Sequence, residues 1–490
     1  MIEFNDVSFS YNKNEKCVKN INLQIKSGEF ILLSGKSGCG KSTLLNIISG
    51  IIPKHIKGEL LGKVTIDEKD ISKMTIQDIS RSVGSVFQNP KSQFFHLNTS
   101  DEVLFSASNK GLEKEELSKR FSNIVKLFSL EKLIDRNIFD LSGGEKQKIA
   151  CASTCAGYPK ILVFDEPSSN LDHETINEYS DILRELKRQG YTIIIAEHRL
   201  YYLMDICDKV IYMENGEIKK KYKKDEFVLI TDDDRKKLGL RAVKTVEIDR
   251  KISDINSFDN QLYNNISDDE KTDIHLKNIN QNSKNKCNNR VEIKDLKYNY
   301  AKKEILDIKY MNMLSGESIA IIGRNGTGKS TFAKCLCGLK KSNGIYINGK
   351  KCKEKERNKK FNLVMQDVNH QLFTETVLDE MLLDFNKKEK NSKEYAEEIL
   401  SELDLLDFKD RHPLALSGGQ KQRLIVGTTI IAERNICILD EPTSGLDYEH
   451  MEKVSELINK LKSKGIIVII ISHDYEFINM CCDRVIKFMK

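Results

Sequence analysis

Apolar positions follow two different periods along the chain, and each period predicts a different kind of element. Alternation in residues 2–11 (IEFNDVSFSY) predicts a strand, and residues 21–35 (INLQIKSGEFILLSG) are interpreted as one strand that runs into a glycine-rich turn. The spacing of KSTLLNIISGI (41–51) then predicts a helix. Residues 173–190 predict an amphipathic helix that ends at its final residue, a glycine.

Two short apolar runs predict buried strands. ILVFD (161–165) and TIIIAEH (192–198) are almost continuously aliphatic, which is typical of parallel strands covered by helices on both faces. Each half of the chain is therefore predicted to be a mixed α/β unit.

The sequence is internally duplicated. GKSGCGKST (35–43) recurs as GRNGTGKST (323–331), LSGGEKQK (141–148) as LSGGQKQR (416–423), and ILVFDEPSSNLD (161–172) as ICILDEPTSGLD (436–447). The last two pairs are each 275 residues apart, whereas the glycine-rich segments are 288 apart, so the second copy is shorter between these motifs. Two homologous domains are the simplest explanation.

The domains are predicted at residues 1–249 and 290–490. Residues 250–289 are rich in Asn, Asp, Lys and Ser and have no sustained apolar period, which predicts a flexible linker. A surface insertion of the first domain is the alternative.

Composition excludes several classes of protein. Because 78 Lys+Arg nearly balance 73 Asp+Glu, there is no large basic field, and nucleic-acid binding is not expected. No apolar run approaches the ~20 residues that cross a bilayer, and the N-terminus is unlike a signal peptide. We therefore expect a cytosolic chain, with any membrane-spanning helices supplied by other subunits. The twelve cysteines lack zinc-site spacing and are expected to be structural or incidental.

The pattern G-x-x-x-x-G-K-S occurs twice, each time between a predicted strand and a predicted helix. Such a loop surrounds a phosphate with backbone N–H groups at a helix N-terminus. Lys41 and Lys329 are predicted to bridge the β- and γ-phosphates, and Ser42 and Ser330 to ligate Mg²⁺. The predicted nucleotide-binding residues are Gly35, Lys36, Ser37, Gly38, Cys39, Gly40, Lys41, Ser42 and Thr43 in the first copy, and Gly323, Arg324, Asn325, Gly326, Thr327, Gly328, Lys329, Ser330 and Thr331 in the second. Bulky thiol reagents are expected to block the first loop at Cys39.

Two acidic residues end the corresponding strand in each copy. Asp165 and Asp440 are suited to the Mg²⁺ shell, usually through water. The adjacent Glu166 and Glu441 are placed to orient or deprotonate an attacking water.

Together with the L-S-G-G motifs, these segments make both repeats resemble the ATPase domain of ABC proteins. The resemblance implies two tandem P-loop NTPase domains, each with a mainly parallel core sheet, helices, an antiparallel β subdomain and a helical signature subdomain. It implies that each ATP lies between one domain's glycine-rich loop and the signature of the other, within one chain or between two. The signature residues concerned are Ser142, Gly143 and Gly144, and Ser417, Gly418 and Gly419.

The same resemblance implies further roles. Tyr11 and Tyr300 match the aromatic residue that stacks on adenine, and Gln88 and Gln366 match the Q-loop, which senses Mg²⁺ and water beside the membrane partner. His198 and His473 match the switch histidine at the γ-phosphate. Asp172 and Asp447 match the loop that communicates across the dimer. The first copy departs from the family pattern at Glu145, in SSNLD and in AEHR. All essential groups are nevertheless present twice, so two competent ATPase sites are expected.

The Q-loop segments VFQNPKSQFFHLNTSDEVLF (86–105) and VMQDVNHQLFTETVLDEML (364–382) look like those of energy-coupling-factor (ECF) ATPases. This likeness implies uptake of a vitamin, metal ion or similar micronutrient at the cytoplasmic face of the membrane. The partners would be a transmembrane coupling subunit and a small substrate-binding membrane subunit, docked near Gln88 and Gln366. The alternative is a soluble twin-ABC ATPase that acts on ribosomes, and co-purification would distinguish the two.

Overall fold

The computed structural model describes residues 1–12, 15–169, 171–255, 289–300, 303–383, 385, 392–432 and 434–489. Contacts divide the chain into two compact units: Met1–Thr245 with Gly445–Glu449, and Val246–Ser444 with His450–Lys490. Most of the predicted linker, residues 256–288, lies outside the described residues. Within the described part of the chain, no helix combines the length and the apolar character needed to span a bilayer.

The first unit contains strands of both orientations and helices between them. Its strands are β1 (Ile2–Asn12), β2 (Glu15–Ile25), β3 (Phe30–Gly35), β4 (Glu59–Ile66), β5 (Lys69–Asp70), β6 (Val83–Val86), β7 (Ile161–Asp165), β8 (Thr192–Ala196), β9 (Lys209–Glu214) and β10 (Glu217–Lys223). Its helices are α1 (Lys41–Ile48), α2 (Ile51–Lys54), α3 (Ile76–Ser82), α4 (Thr99–Ser108), α5 (Lys114–Leu127), α6 (Gly143–Ala156), α7 (His173–Arg188), α8 (Lys224–Val228) and α9 (Asp232–Lys237).

Two sheets organise this unit. The core sheet has the order β10-β9-β3-β8-β7-β6, and its strands are parallel except for the β9–β10 hairpin. The second sheet, β2-β1-β4-β5, is antiparallel. The side chains of β8 are all buried and those of β7 nearly so, as their apolar runs predict. Helix α7 ends just before Gly190, whose φ of 86° stops the helix, as predicted.

The interpretation of residues 21–35 as one strand is wrong. The chain turns at residues 26–29, where Gly28 has a φ of 78°, and β2 and β3 enter different sheets. The polar KSGE segment interrupts the apolar pattern, and glycine alone takes this φ without strain. The turn lets β3 enter the core sheet and deliver the glycine-rich loop at its carboxyl end.

The second unit repeats the architecture. Its strands are β11 (Ile252–Asp254), β12 (Arg290–Tyr300), β13 (Lys303–Leu314), β14 (Ser318–Ile322), β15 (Ile345–Ile347), β16 (Lys350–Lys351), β17 (Phe361–Val364), β18 (Ile436–Asp440), β19 (Ile467–Ile471) and β20 (Arg484–Lys487). Its helices are α10 (Lys329–Leu336), α11 (Glu354–Lys360), α12 (Val377–Leu382), α13 (Ser392–Glu402), α14 (Gly418–Ile431), α15 (Tyr448–Ser463) and α16 (Tyr475–Cys481).

The core sheet of the second unit has the order β11-β20-β14-β19-β18-β17, with every pairing parallel. Its edge strand, β11, comes from the start of the predicted linker, and Arg250 Nε donates to Cys482 O at 2.8 Å in the same unit. Residues 246–255 therefore belong to the second unit, so the predicted boundary at 249 and the linker start at 250 are corrected. Strand β11 could not be predicted from its local composition, because it forms by pairing with a strand that is distant in the sequence.

The fold class is confirmed for both halves: a mainly parallel core sheet with helices, an antiparallel sheet, and a helical segment that contains the L-S-G-G motif.

Candidate active sites

The glycine-rich loops connect β3 to α1 and β14 to α10, at the carboxyl ends of central strands. Gly35, with a φ of 147°, and Gly40, with a φ of 100°, occupy backbone conformations that favour glycine. A Cβ at Gly35 would lie 2.1 Å from Met213 O. Among the described residues, no side-chain hydrogen bond caps α1 or α10, so the first N–H groups of both helices can bind an anion.

Each loop encloses a lysine ammonium group. Lys41 Nζ donates to the carbonyl oxygens of Gly35 at 2.9 Å and Lys36 at 3.0 Å. Lys329 Nζ donates to Gly323 O at 2.5 Å and Arg324 O at 3.0 Å. Both side chains are buried, so the loop carbonyls hold each positive charge at the centre of the cradle.

The serine that follows each lysine contacts the aspartate that ends the neighbouring strand. Ser42 Oγ donates to Asp165 Oδ1 at 2.9 Å, and Ser330 hydrogen-bonds Asp440. Burial, reinforced by the adjacent charge of Glu166, raises the pKa of Asp165 to about 6. Burial likewise raises the pKa of Asp440. Such carboxyl groups ionise more readily when a cation is near.

This pair of oxygens fits Mg²⁺. A phosphate-bound Mg²⁺ takes only one or two protein oxygens and completes its octahedron with phosphate oxygens and water. The described residues contain no cluster of three or more His, Cys, Asp or Glu side chains that could hold a metal ion.

A glutamate with unusual backbone geometry stands next to each aspartate. Glu166 has a φ of 44° and Glu441 a φ of 53°, both in the left-handed region, and such strain is often found at functional sites. Each N–H donates to the neighbouring strand, Glu166 to Ala196 O at 2.9 Å and Glu441 to Ile471 O at 2.8 Å. These bonds hold the backbone turn at each glutamate against the neighbouring strand.

The predicted Q-loop glutamine and switch histidine of the first unit both lie at the Glu166 carboxylate. Gln88 Nε2 donates to Oε2 at 2.7 Å, and His198 Nε2 lies 3.4 Å from Oε1. In the second unit His473 Nε2 lies 3.7 Å from Glu441 Oε1. Each glutamate–histidine pair is therefore within reach of one water molecule or phosphate oxygen. Gln366 follows β17 in the matching position.

The predicted adenine platforms lie at the ends of β1 and β12. Tyr11 is 43% exposed and Tyr300 is 67% exposed, so both rings are accessible to a base. The Tyr11 hydroxyl lies 2.9 Å from Thr43 Oγ1, which links the platform to the first loop.

The structure argues against Cys39 as the reactive thiol. Its side chain is only 4% exposed, and burial raises the pKa of its thiol. Cys17 is partly exposed, and its Sγ lies 3.3 Å from Thr43 Oγ1 beside the same loop. Bulky reagents are therefore expected to reach Cys17 before Cys39.

The L-S-G-G motifs begin α6 and α14. Ser142 caps α6 in a reciprocal pair with Glu145, which accepts from Ser142 N at 2.7 Å. Ser417 and Gln420 form the same capping box in α14, with the corresponding bond at 2.9 Å. The departure at Glu145 therefore preserves the cap. Gly143 and Gly144 lie in the first turn of α6, and Gly418 and Gly419 lie in the first turn of α14. Asp172 caps α7, and Asp447 precedes α15. The predicted contact of each signature with the other domain's nucleotide stays a prediction.

Sequence reasoning missed a second glutamine in each Q-loop. Gln93 Oε1 accepts from Phe87 N at 3.3 Å, and its Nε2 donates to Ser85 O at 3.2 Å. Gln371 makes the matching bonds to Met365 N at 2.6 Å and Leu363 O at 2.7 Å. These glutamines hold the first residues of each Q-loop to the later part of the loop by hydrogen bonds. The signal was present, because Q-x-x-x-x-Q occurs in both copies.

Comparisons with known proteins agree with this geometry. Residues 18–169 and 306–444 match the family model described as ABC transporter. The chain is 39% identical over 491 residues to a candidate ABC transporter ATP-binding protein of Treponema denticola, covering 99% of this chain and 94% of the relative. A similarly named protein of Methanosarcina mazei is 33% identical over 517 residues, covering 99% and 87%.

Two solved structures resemble this chain, one over nearly its whole length and one over less than half of it. One is a model of ribosome-bound archaeal Pelota and ABCE1, and the match covers 99% of this chain and 76% of the chain in that structure. The identity is 22% and the TM-score is 0.67, which shows a shared fold. CbiO1 of Clostridium perfringens, described as part of the ABC transporter complex CbiONQ, covers 46% of this chain and 89% of its own, with 32% identity and a TM-score of 0.43. On the family match and its relatives, the chain belongs to the ABC transporter family as an ATP-binding protein with two ABC ATPase domains that bind and hydrolyse ATP.

Proposed function

We propose that this ATPase energises an ECF-type importer of a vitamin, metal ion or similar micronutrient at the cytoplasmic face of the cell membrane. Its partners are a transmembrane coupling subunit and a small substrate-binding membrane subunit. The observation that carries the proposal is an exposed phenylalanine beside the Q-loop in each unit, Phe95 and Phe373.

These two phenylalanines are held outward by buried acids. Phe95 is 74% exposed and Phe373 is 78% exposed. Glu102 Oε2 accepts from Phe95 N at 2.9 Å, and Glu380 Oε2 accepts from Phe373 N at 2.9 Å. Both carboxylates are buried. An exposed aromatic ring on a fixed backbone is typical of an interface anchor, because contact with a partner removes its apolar surface from water.

A groove in the first unit lies beside Phe95. Its volume is 610 Å³, and its lining includes Val83, Phe105 and Pro159 together with the basic residues Arg81 and Lys110. The Phe95 and Phe105 rings stack with centroids 4.7 Å apart. Polar side chains such as Gln77, Ser80 and Asn109 also line it. A mixed lining of apolar, polar and basic residues fits an amphipathic helix that carries an acidic side chain. This groove supports docking of the coupling subunit near Gln88, and the exposed Phe373 supports docking near Gln366 in the second unit.

The proposed chemistry assigns one role to each group. Lys41 and Lys329 offset charge on the transferred phosphate, and Glu166 and Glu441 orient or deprotonate the attacking water. His198 and His473 contact the γ-phosphate. Mg²⁺ would be held by Ser42 and Asp165, and by Ser330 and Asp440, with Gln88 and Gln366 beside it, and it would neutralise charge on the phosphates. The two domains close on two ATP molecules, and each ATP site is completed by the signature of the opposite domain. This closing movement drives the conformational change of the membrane subunits.

Co-purification tests the proposal. The tagged chain is isolated from detergent-solubilised membranes of its own cells, and mass spectrometry is expected to identify multi-spanning membrane subunits. Phe95→Asp with Phe373→Asp should reduce their recovery at least about tenfold, because loss of a hot-spot aromatic residue costs about 2 kcal/mol or more. The isolated variant should retain its ATPase activity. Leu229→Asp is the control, since Leu229 is 80% exposed and does not line the groove. Recovery of ribosomes instead would favour the soluble alternative.

A further inference from the structure

The residues on either side of the predicted switch histidine differ between the two units. The first unit reads Glu197-His198-Arg199, and the second reads Ser472-His473-Asp474. The acid therefore precedes the histidine in one copy and follows it in the other. All of these side chains are buried, so each difference changes the hydrogen bonds around the histidine.

Glu197 is the centre of the network in the first unit. Its Oε1 accepts from Ser168 N at 3.1 Å and from the Tyr202 hydroxyl at 2.9 Å. Its Oε2 accepts from His198 N at 2.7 Å and from Arg199 N at 3.3 Å. Because Ser168 lies two residues after Glu166, this carboxylate joins the segment that carries Glu166 to the segment that carries His198.

Arg199 completes the connection with its guanidinium group. Its Nη1 donates to Leu171 O at 3.1 Å and to Ser168 O at 3.4 Å. Ser168 thus donates its N–H to Glu197 and accepts at its carbonyl from Arg199. A buried carboxylate is costly unless its acceptors are satisfied, and here four donors satisfy it.

The second unit makes the same connection with other atoms. The Thr443 hydroxyl donates to Asp474 Oδ2 at 2.7 Å, and Thr443 stands where the first copy has Ser168. Asp474 Oδ1 also accepts from Phe477 N at 3.2 Å and caps α16.

Two further differences accompany the different position of the acid. Phe477 stands where the first copy has Tyr202, whose hydroxyl is bonded to Glu197. With Arg199 in the capping position, the first copy forms only a short 3₁₀ turn at Tyr201–Leu203 instead of a helix matching α16. The position of the acid, the phenol hydroxyl and the helix start therefore change together.

We propose that Glu197 is a positioning residue of the first ATP site, where it substitutes for the role of Asp474 from the opposite side of the histidine. It fixes His198 against Glu166, at the observed 3.4 Å, while the chain after His198 takes a different course. The proposal depends on the ATPase activity of the chain and not on the importer assignment.

Single-turnover hydrolysis in the full-length Glu441→Gln chain tests this proposal, since that background restricts turnover to the first site. Glu197→Gln keeps the shape of the side chain but loses its charge and one acceptor oxygen. The rate is expected to fall about tenfold, as when partners that orient a catalytic group are removed, while ATP affinity stays within about twofold. Tyr202→Phe removes a single donor without threatening the fold and should lower the rate about two- to threefold. Glu29→Gln, which alters an acid that accepts from Lys26 N away from the histidine, is the control.

Rescue separates positioning from a general structural role. Ser168→Thr, Glu197→Ser, Arg199→Asp and Tyr202→Phe together install the network of the second unit, and the rate should return to within about threefold of the background. Unchanged rates in both Glu197→Gln and Tyr202→Phe would overturn the proposal. So would an exchange variant that keeps the melting temperature and ATP affinity of its parent but regains no activity.

Discussion

The two units agree closely at the phosphate loop and differ at the outer strand of the core sheet. Lys41 and Lys329 donate to carbonyl oxygens at matching positions, and Glu166 and Glu441 share the same left-handed backbone. In contrast, the sheet of the first unit ends in the antiparallel strand β10, and that of the second ends in the parallel strand β11. Hydrogen-bond geometry around a triphosphate tolerates little variation, whereas an edge position requires only a strand that can pair.

The largest effect should come from the carboxylates that the two sites share. Glu166→Gln with Glu441→Gln should lower steady-state ATP hydrolysis about 10²–10⁴-fold, because proton transfer to a positioned base is lost, while ATP binding persists. Unequal losses in the two single variants would measure the functional asymmetry of the sites.

The matched control for these variants is Glu68→Gln. Glu68 also has a positive φ, 66°, but lies in the turn between β4 and β5. Undiminished hydrolysis in the double variant would show that neither glutamate is catalytic.

Glycine substitutions within one loop should separate steric crowding from backbone strain. Gly35→Ala should destabilise the first unit by about 3 kcal/mol or more, since its Cβ would overlap Met213 O as well as strain the backbone. Gly38→Ala, where nothing lies within 4 Å of the added Cβ, should cost only about 1–2 kcal/mol. Denaturant unfolding measures both, and equal losses would contradict the crowding argument. Gly323→Ala, 2.4 Å from Phe488 O, repeats the test in the second unit.

The pKa of Asp165 predicts a smaller, pH-dependent effect. Its folded-state pKa of about 6 exceeds the ordinary 3.8, so the folded protein favours the protonated form and loses stability as the pH rises between these values. Asp165→Asn removes this penalty and should stabilise the metal-free protein by up to about 2 kcal/mol at pH 8, with little effect at pH 4.

Melting temperatures of the variant and its parent across pH 4–8, measured in chelator, check this expectation. Asp440→Asn should act in the same direction, because burial also raises the pKa of Asp440. Stabilisation of equal size at pH 4 would contradict the assigned cause.

The smallest effect should come from exchanging the capping residues of the two signature helices. Glu145→Gln and Gln420→Glu should each change stability by less than about 0.5 kcal/mol, because either side chain closes the same capping box. Thermal unfolding checks this, with Ser142→Ala as the reference that should cost about 1 kcal/mol. A loss for Glu145→Gln as large as that for Ser142→Ala would refute the equivalence.

The sequence predicted most strongly where function requires fixed spacing. The glycine-rich loops, the Asp-Glu strand ends and the amphipathic α7 follow from local periodicity and residue chemistry. The split of residues 21–35 had a local signal, the polar KSGE turn, that was outweighed by the apolar residues around it. Strand β11 had none, because its stability depends on pairing with β20 more than 200 residues later. The Glu197 network was hidden in part, since its bonds from Arg199 N and His198 N are local, whereas the bonds that link it to Ser168 and Leu171 join residues that only the fold brings together.

The origin of β11 has a practical consequence for work on the isolated second half. A polypeptide that begins at Arg290 would retain its glycine-rich loop and β12–β20 yet lack Ile252–Asp254, leaving the backbone groups of β20 open along one side. An open edge of this kind readily recruits strands from other molecules. Such a fragment is expected to self-associate, and including residues 246–255 in it would supply the missing strand.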